Sequence, residues 1–244
     1  GQDCSTAACG VRAGDDGVPR PKAGEYKTAP GENGAFSAWD VRQKAGHPDA
    51  GSPLIHTYFD QDLGELRLLP IGSSAQRLEA RPKYTFRSGG YYTGQWLGNR
   101  RHGFGMQRWP DGAVYQGQWR ENSAEGQGRF VHTDGDIYCG QWHKNLAHGM
   151  GIYIHHTGDQ KVTCYEGQWK NDLQDGYGVE TWQEGCVYEG EFKAGHKDGC
   201  GEYRWADGSS YLGKWRGNSI NGAGIYTGAD RREFHGQWRS SQIH

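Results

Sequence analysis

From Tyr92 onward apolar and polar positions alternate with a period of two, and short glycine-, asparagine- and aspartate-rich runs interrupt the alternation at regular intervals. Tyr92, Gly94 and Trp96 are separated by Thr93 and Gln95, so on an extended strand the three share one face. Gly103, Gly105, Gln107 and Trp109 alternate in the same way. A loop at 98–101 joins the two stretches and Pro110-Asp111-Gly112 turns the chain onward, as Asp134-Gly135 and Asp207-Gly208 do later; the unit predicted is one β-hairpin. It then copies itself. The leading aromatics are Tyr92, Tyr115, Tyr138, Tyr165, Tyr188, Tyr211 and Phe234, at spacings of 23, 23, 27, 23, 23 and 23 residues.

Phe86 precedes Tyr92 by the same interval as Trp109 precedes Tyr115, so 84–86 reads as the second strand of a truncated repeat. Phe234 to Trp238 reads as a first strand without a second. Residues 84–244 are therefore expected to form six full repeats with a half at each end: an all-β, elongated, single-layer solenoid of consecutive hairpins. The 27-residue spacing places four extra residues near His155 to Val162, expected as a longer turn.

The glycines explain how such a chain packs. A strand position without a side chain leaves a slot in which a neighbouring ring lies flat on backbone. Repeat packing is thus assigned to Tyr92, Gly94 and Trp96; Tyr115, Gly117 and Trp119; Tyr138, Gly140 and Trp142; Tyr165, Gly167 and Trp169; Tyr188, Gly190 and Phe192; and Tyr211, Gly213 and Trp215. Trp109, Trp182, Trp205, Tyr153, Tyr203 and Tyr226 are left to line a groove. Gln95, Gln118, Gln141, Gln168 and Lys214, on the other parity, are expected to face solvent.

Before the repeats the pattern changes. Seven of the eight prolines lie before residue 83, and 1–35 is rich in Gly, Pro, Ala and charge, which points to a flexible leader. Residues 36–83 carry two apolar clusters, Phe36, Trp39 and Val41, then Leu54, Ile55, Tyr58, Phe59, Leu63, Leu66, Leu68, Leu69 and Ile71. Short helices are expected at 36–44 and 73–80, and the whole segment is expected to fold back as an irregular N-terminal cap, since a solenoid needs its end covered. If Gly1 is exposed by removal of an initiator Met, Gly1 with Ser5 fits the N-myristoylation pattern and Cys4 is placed for a second acyl chain; a trimmed terminus fits the same residues equally well.

Composition and charge narrow the classes. Gly is 41 of 244 residues, and the formal net charge of -2 offers no basic surface for nucleic acid. The six cysteines occupy unrelated places in their repeats and read as reduced thiols. His148, His155, His156, Cys139 and Cys164 match no zinc spacing; His155-His156 reads as a solvated loop, and His102 and His148 as structural groups bonding the adjacent turn. No cofactor, metal or catalytic constellation is expected, because the Gly-x-Gly pairs lack the strand-to-helix context of a dinucleotide loop.

These residues closely resemble the MORN repeat, whose pattern of Tyr-x-Gly-x-Trp/Phe followed by His/Asp-Gly-x-Gly is carried here by Tyr92, Gly94, Trp96, His102, Gly103, Gly105 and their equivalents through Trp238. Phe192, Glu125 and Asn221 depart from it. The resemblance implies a non-catalytic scaffold in a ciliary, axonemal or cortical cytoskeletal assembly, binding partner proteins through the groove as a helix is gripped. Phe234 and Trp238 are candidates for pairing sheet ends. The other reading is an intracellular membrane-recruitment module anchored through Gly1 and Cys4.

Overall fold

The computed structural model describes residues 55–69, 77–157 and 161–243. The leader, Gly1, Cys4, the Phe36–Trp39–Val41 cluster and the helix expected at 36–44 lie outside the described residues. Two short helices, α1 (Ile55–Asp60) and α2 (Leu63–Leu68), precede fifteen strands. The strands are β1 (Leu78–Thr85), β2 (Tyr91–Leu97), β3 (Arg100–Arg108), β4 (Val114–Arg120), β5 (Ser123–Val131), β6 (Ile137–His143), β7 (Leu146–Thr157), β8 (Lys161–Lys170), β9 (Leu173–Trp182), β10 (Val187–Lys193), β11 (His196–Arg204), β12 (Ser210–Arg216), β13 (Ser219–Thr227), β14 (Glu233–Arg239) and β15 (Gln242–Ile243). They follow one another in a single sheet in sequence order, as a run of hairpins must. The described residues group into two compact units, one running to 156 together with 168–173, the other holding 157–167 and 174–243.

Each hairpin is held in register by facing glycines. Gly94 pairs Gly105, and Gly105 pairs Gly117 of the next hairpin; Gly117↔Gly128, Gly128↔Gly140 and Gly140↔Gly151 continue the ladder. In the other unit Gly178↔Gly190, Gly190↔Gly201, Gly201↔Gly213 and Gly213↔Gly224 repeat it. Just past Gly94, Gly117, Gly140, Gly190 and Gly213 the register slips, so Gln95 bulges between the pairs Gly94↔Gly105 and Trp96↔Arg101. The bulge leaves a carbonyl without a ladder partner, and the leading tyrosine supplies one: Tyr92 Oη donates to Gln95 O at 2.8 Å, Tyr115 to Gln118 O at 2.8 Å, Tyr138 to Gln141 O at 2.9 Å and Tyr188 to Glu191 O at 3.0 Å. To reach it the ring must lie across the glycines, and a Cβ on Gly105 would stand 2.2 Å from Tyr92 Oη.

The tryptophan completes the unit. Trp119 Nε1 donates to Gly105 O at 3.1 Å, Trp142 to Gly128 O at 3.0 Å and Trp215 to Gly201 O at 3.1 Å, each reaching back one hairpin. Tyr92, Tyr115, Tyr138, Tyr165, Tyr188 and Tyr211 are all buried, with Trp96, Trp119, Trp142, Trp169, Phe192 and Trp215 beside them. Tyr92, Tyr115, Tyr138 and Tyr211 meet the tryptophan of their own hairpin edge-on and Tyr188 meets Phe192 in the same way; Tyr115 and Trp119 are 5.0 Å apart, and Tyr115 also meets Trp142 at 5.2 Å.

Four expectations are corrected. Residues 78–80, within the helix expected at 73–80, belong to β1, so the sheet begins six residues before 84; Leu78 and Ala80 pair Leu97 and Gln95 of β2 instead of curling, and Pro82 stands where the register shifts. The extra residues near 155 extend strands: β7 is 12 residues and runs to Thr157, and β8 starts at Lys161. Phe234 to Trp238 is not left without a second strand, because Trp238 pairs Ile243 and Arg239 pairs Gln242. Among the cysteines, Cys186 and Cys200 are free thiols, but Cys139 is disulfide-bonded.

Candidate functional site

On the face carrying the tyrosines, the second strand of each hairpin contributes three more side chains: one two residues before the Gly-x-Gly, one two after it and one four after it. Across the six repeats these are Arg101, Gln107 and Trp109; Ala124, Phe130 and His132; Ala147, Tyr153 and His155; Gln174, Glu180 and Trp182; Lys197, Tyr203 and Trp205; and, in the last, Ile220 and Tyr226, with Gly228 at the third position. Within each unit they line a groove, and the chemistry of the two differs.

In the first unit the groove is filled. Phe59 of α1 is 0 % exposed, with its ring 5.5 Å from Trp109, 5.2 Å from Tyr115, 5.7 Å from Trp119 and 5.6 Å from Trp142. Tyr58 lies 5.3 Å from Trp109 and 5.5 Å from Phe130, and its hydroxyl donates to Asp111 at 2.7 Å. The two alanines, Ala124 and Ala147, pair directly with Trp119 and Trp142, and their small side chains leave room above those rings for Phe59. Arg101, fully buried, stacks 4.4 Å over Trp119 and donates to the backbone carbonyl of Phe59 at 3.1 Å. Burial lowers its guanidinium to about 10. The helices are pinned from the side by Glu65, which accepts from Tyr84 Oη at 2.6 Å and from Arg87 N at 2.9 Å. Residues 55–69 are thus a helical plug against the aromatic face of the first unit.

Further along the same unit, Asp136 accepts hydrogen bonds from Tyr153 Oη, from His155 Nδ1 at 2.8 Å and from His156 N at 3.0 Å. Burial alone would raise this carboxyl, and the three donors outweigh it and hold it below the ordinary range. His155 is therefore buried on β7, not in the solvated loop expected. No group of three or more His, Cys, Asp or Glu among the described residues is arranged to hold a metal ion.

In the second unit the groove is polar at its floor and aromatic at its rim. Lys197 and Glu180, both fully buried, pair at 2.7 Å, and the ammonium sits 4.9 Å from Trp182 and 5.1 Å from Tyr188. Gln174 is 1 % exposed and neither atom of its amide has a hydrogen-bond partner. Tyr203 is buried at 5.6 Å from Trp182 and 4.8 Å from Trp205. Trp182, Trp205 and Tyr226 are half-buried, with Trp205 and Tyr226 5.9 Å apart. Phe234 is half-buried and Trp238 buried, 5.0 Å from Tyr211.

Sequence reasoning marked the groove aromatics but missed the floor. Arg101, Gln174, Glu180 and Lys197 stand at apolar-parity positions, and parity was the signal that would have found them. The outward glutamines were also more than solvent-facing groups: Gln95, Gln118 and Gln141 accept from the N–H groups of Phe104, Gln127 and Met150 at 2.7–2.8 Å. His102 Nδ1 accepts from the Glu121 N–H of the adjacent turn at 3.4 Å, a task done by Glu125 and Asp175 in other repeats, whereas His148 Nδ1 has no partner.

A family model described as the MORN repeat matches residues 92–114, 115–137, 138–160, 165–187, 188–210 and 211–231, more than half of the chain. No curated protein matches. Among solved structures, the chain is similar to the SAS-4 (dCPAP) TCP domain of Drosophila melanogaster, solved in complex with a proline-rich motif of Ana2 (dSTIL). The identity is 12%, the match covers 70% of this chain and 97% of that one, and the TM-score is 0.40.

Proposed function

The chain belongs to the MORN-repeat family, and we propose that it is a non-catalytic scaffold that grips partner proteins in the aromatic groove of its hairpins. One observation carries this reading: the groove already holds a helix. Tyr58 and Phe59 enter it as neighbouring anchors on α1, and Arg101 bonds the helix backbone. This is recognition of an apolar helix in a groove, performed by the chain upon itself. Trp182, Trp205 and Tyr226 offer a comparable rim in the second unit, aromatics of the kind that anchor interfaces. A ciliary, axonemal or cortical cytoskeletal assembly is the proposed setting. The test compares proteins captured by the wild-type chain and by a Trp182→Ser/Trp205→Ser variant. Loss of a defined helical partner from the variant supports the reading, and identical capture by both sinks it.

A second reading, membrane recruitment, rests on Gly1, Ser5 and Cys4 alone. Mass spectrometry of the native N-terminus decides it: acyl chains on Gly1 and Cys4 support it, and unmodified residues end it. No described helix is long and apolar enough to cross a membrane.

A further inference from the structure

We infer that the groove of the first unit is a receptor for a partner chain that ends on an aromatic residue, with its C-terminal α-carboxylate seated on Arg101 and Gln107, where the plug now presents only the carbonyl of Phe59. The inference rests on the groove being a surface that grips helices, as proposed above, and names the chemistry of one partner.

The floor beneath the plug is short of an anion. Arg101 and Gln107 are both fully buried. The guanidinium donates to Phe59 O and Asn122 O at 3.1 Å and to Gln107 Oε1 at 3.2 Å, so each acceptor it meets is neutral. Asp60 and Asp62 act on it through space, and neither forms an ion pair with it. Two N–H donors on these hydrogen-bonded side chains stay open, Arg101 Nε and Gln107 Nε2. A buried cation is costly without a counter-charge, and a buried donor without an acceptor adds to that. One carboxylate supplies both the charge and the lone pairs.

The plug shows where that carboxylate belongs. Arg101 already holds the backbone carbonyl of the aromatic anchor Phe59. In a chain that stopped at such a residue, the same oxygen becomes one of two α-carboxylate oxygens, and the ring among Trp109, Tyr115 and Trp119 is unchanged. Main chain is what touches Arg101 here, so the anion that replaces the carbonyl is a main-chain one. Capture of a C-terminal carboxylate is a recurring mode of peptide recognition.

The plug is built to give way. Its helices are six residues each, and Asp62 between them holds φ at 64°, a left-handed conformation uncommon outside glycine, with no side-chain cap bond and with Oδ2 buried without a partner. Release returns that carboxylate to water. A partner still displaces a tethered competitor, so its apparent affinity falls by the fraction of time the groove is closed.

The test uses the full chain as Phe59→Ala, which empties the ring site, and three acetylated peptides read by tryptophan emission. They are residues 55–59 as the free acid, residues 55–59 as the C-terminal amide, and residues 55–60 as the C-terminal amide, whose carboxylate is the Asp60 side chain. The free acid is expected to bind at least tenfold tighter than either amide, and adding Arg101→Met should erase the difference. On the wild-type chain, saturating free acid should speed amide exchange across 55–69 at least tenfold, because it takes the plug's place. Equal binding of the free acid and its amide, binding of neither, a preference that survives Arg101→Met, or unchanged exchange across 55–69 overturns the inference. A 55–60 amide that matches the free acid makes the ligand an acidic side chain and overturns the C-terminal assignment. Should the Arg101→Met chain unfold by circular dichroism, the exchange measurement on wild type locates the site in its stead. Partner capture through Trp182 and Trp205 is read in the other unit and without these peptides, so it stands or falls separately.

Discussion

Replacing Phe59 by alanine tests the plug. The ring is 0 % exposed and meets Trp109, Tyr115, Trp119 and Trp142 edge-on at 5.2–5.7 Å. A phenylalanine that buries roughly 150 Å² of apolar surface at about 25 cal/mol per Å² is worth about 4 kcal/mol, within the ~3–5 kcal/mol measured for such truncations. Part of that loss is capped, because α1 and α2 can leave the groove while the sheet persists. Leaving costs in turn: Arg101 then lacks the Phe59 carbonyl that its Nη2 bonds. The expected result is a loss of about 3–4 kcal/mol in urea unfolding of this unit, red-shifted emission from Trp109 and Trp119, and rapid exchange across 55–69. The control is Phe104→Ala, since Phe104 is 62 % exposed and its loss should fall within about 0.5 kcal/mol. A Phe59→Ala chain that loses less than about 1 kcal/mol, with tryptophan emission unchanged, would refute the plug.

Other consequences can be checked in the same assay. Lys197→Ala removes the cation paired with the buried Glu180 and should cost about 3–5 kcal/mol, whereas Glu180→Leu with Lys197→Met should cost much less. Gly128→Ala places a Cβ 2.4 Å from Tyr115 Oη; the ring must shift off Gln118 O, for a loss of about 2–4 kcal/mol, while Tyr115→Phe loses the bond alone, about 1–3 kcal/mol. The Asp136 carboxyl is held below its ordinary 3.8 in the folded chain. Its stabilisation is therefore complete above the unfolded value and fades as pH falls through the folded one, so urea midpoints measured from pH 7 to pH 2 should drop more steeply for wild type than for Asp136→Asn below about pH 4.

The hairpin order was legible in the sequence because its two determinants, period-two alternation and paired glycines, are local. Tyr92, Gly94 and Trp96 announce a shared face wherever they recur. The bulge was not legible: it arises from the slip between Gly94↔Gly105 and Trp96↔Arg101, which only the pairing of two strands defines. That slip is also why the tyrosine needs its hydroxyl. The plug was half visible, since Tyr58, Phe59 and Leu66 needed burial, but nothing local says that Phe59 rests against Trp119 and Trp142. Likewise nothing local marks Lys197 and Glu180 as buried; their burial follows from strands β9 and β11 bringing them together under Trp182.

The central claim is that the hairpins' aromatic face is a protein-binding groove, and affinity capture with the Trp182→Ser/Trp205→Ser chain tests it most directly. With β2 to β14 still folded by circular dichroism, the claim predicts that a helical partner held by the wild-type chain is lost at least tenfold. Undiminished binding of every captured protein by the folded variant would contradict it.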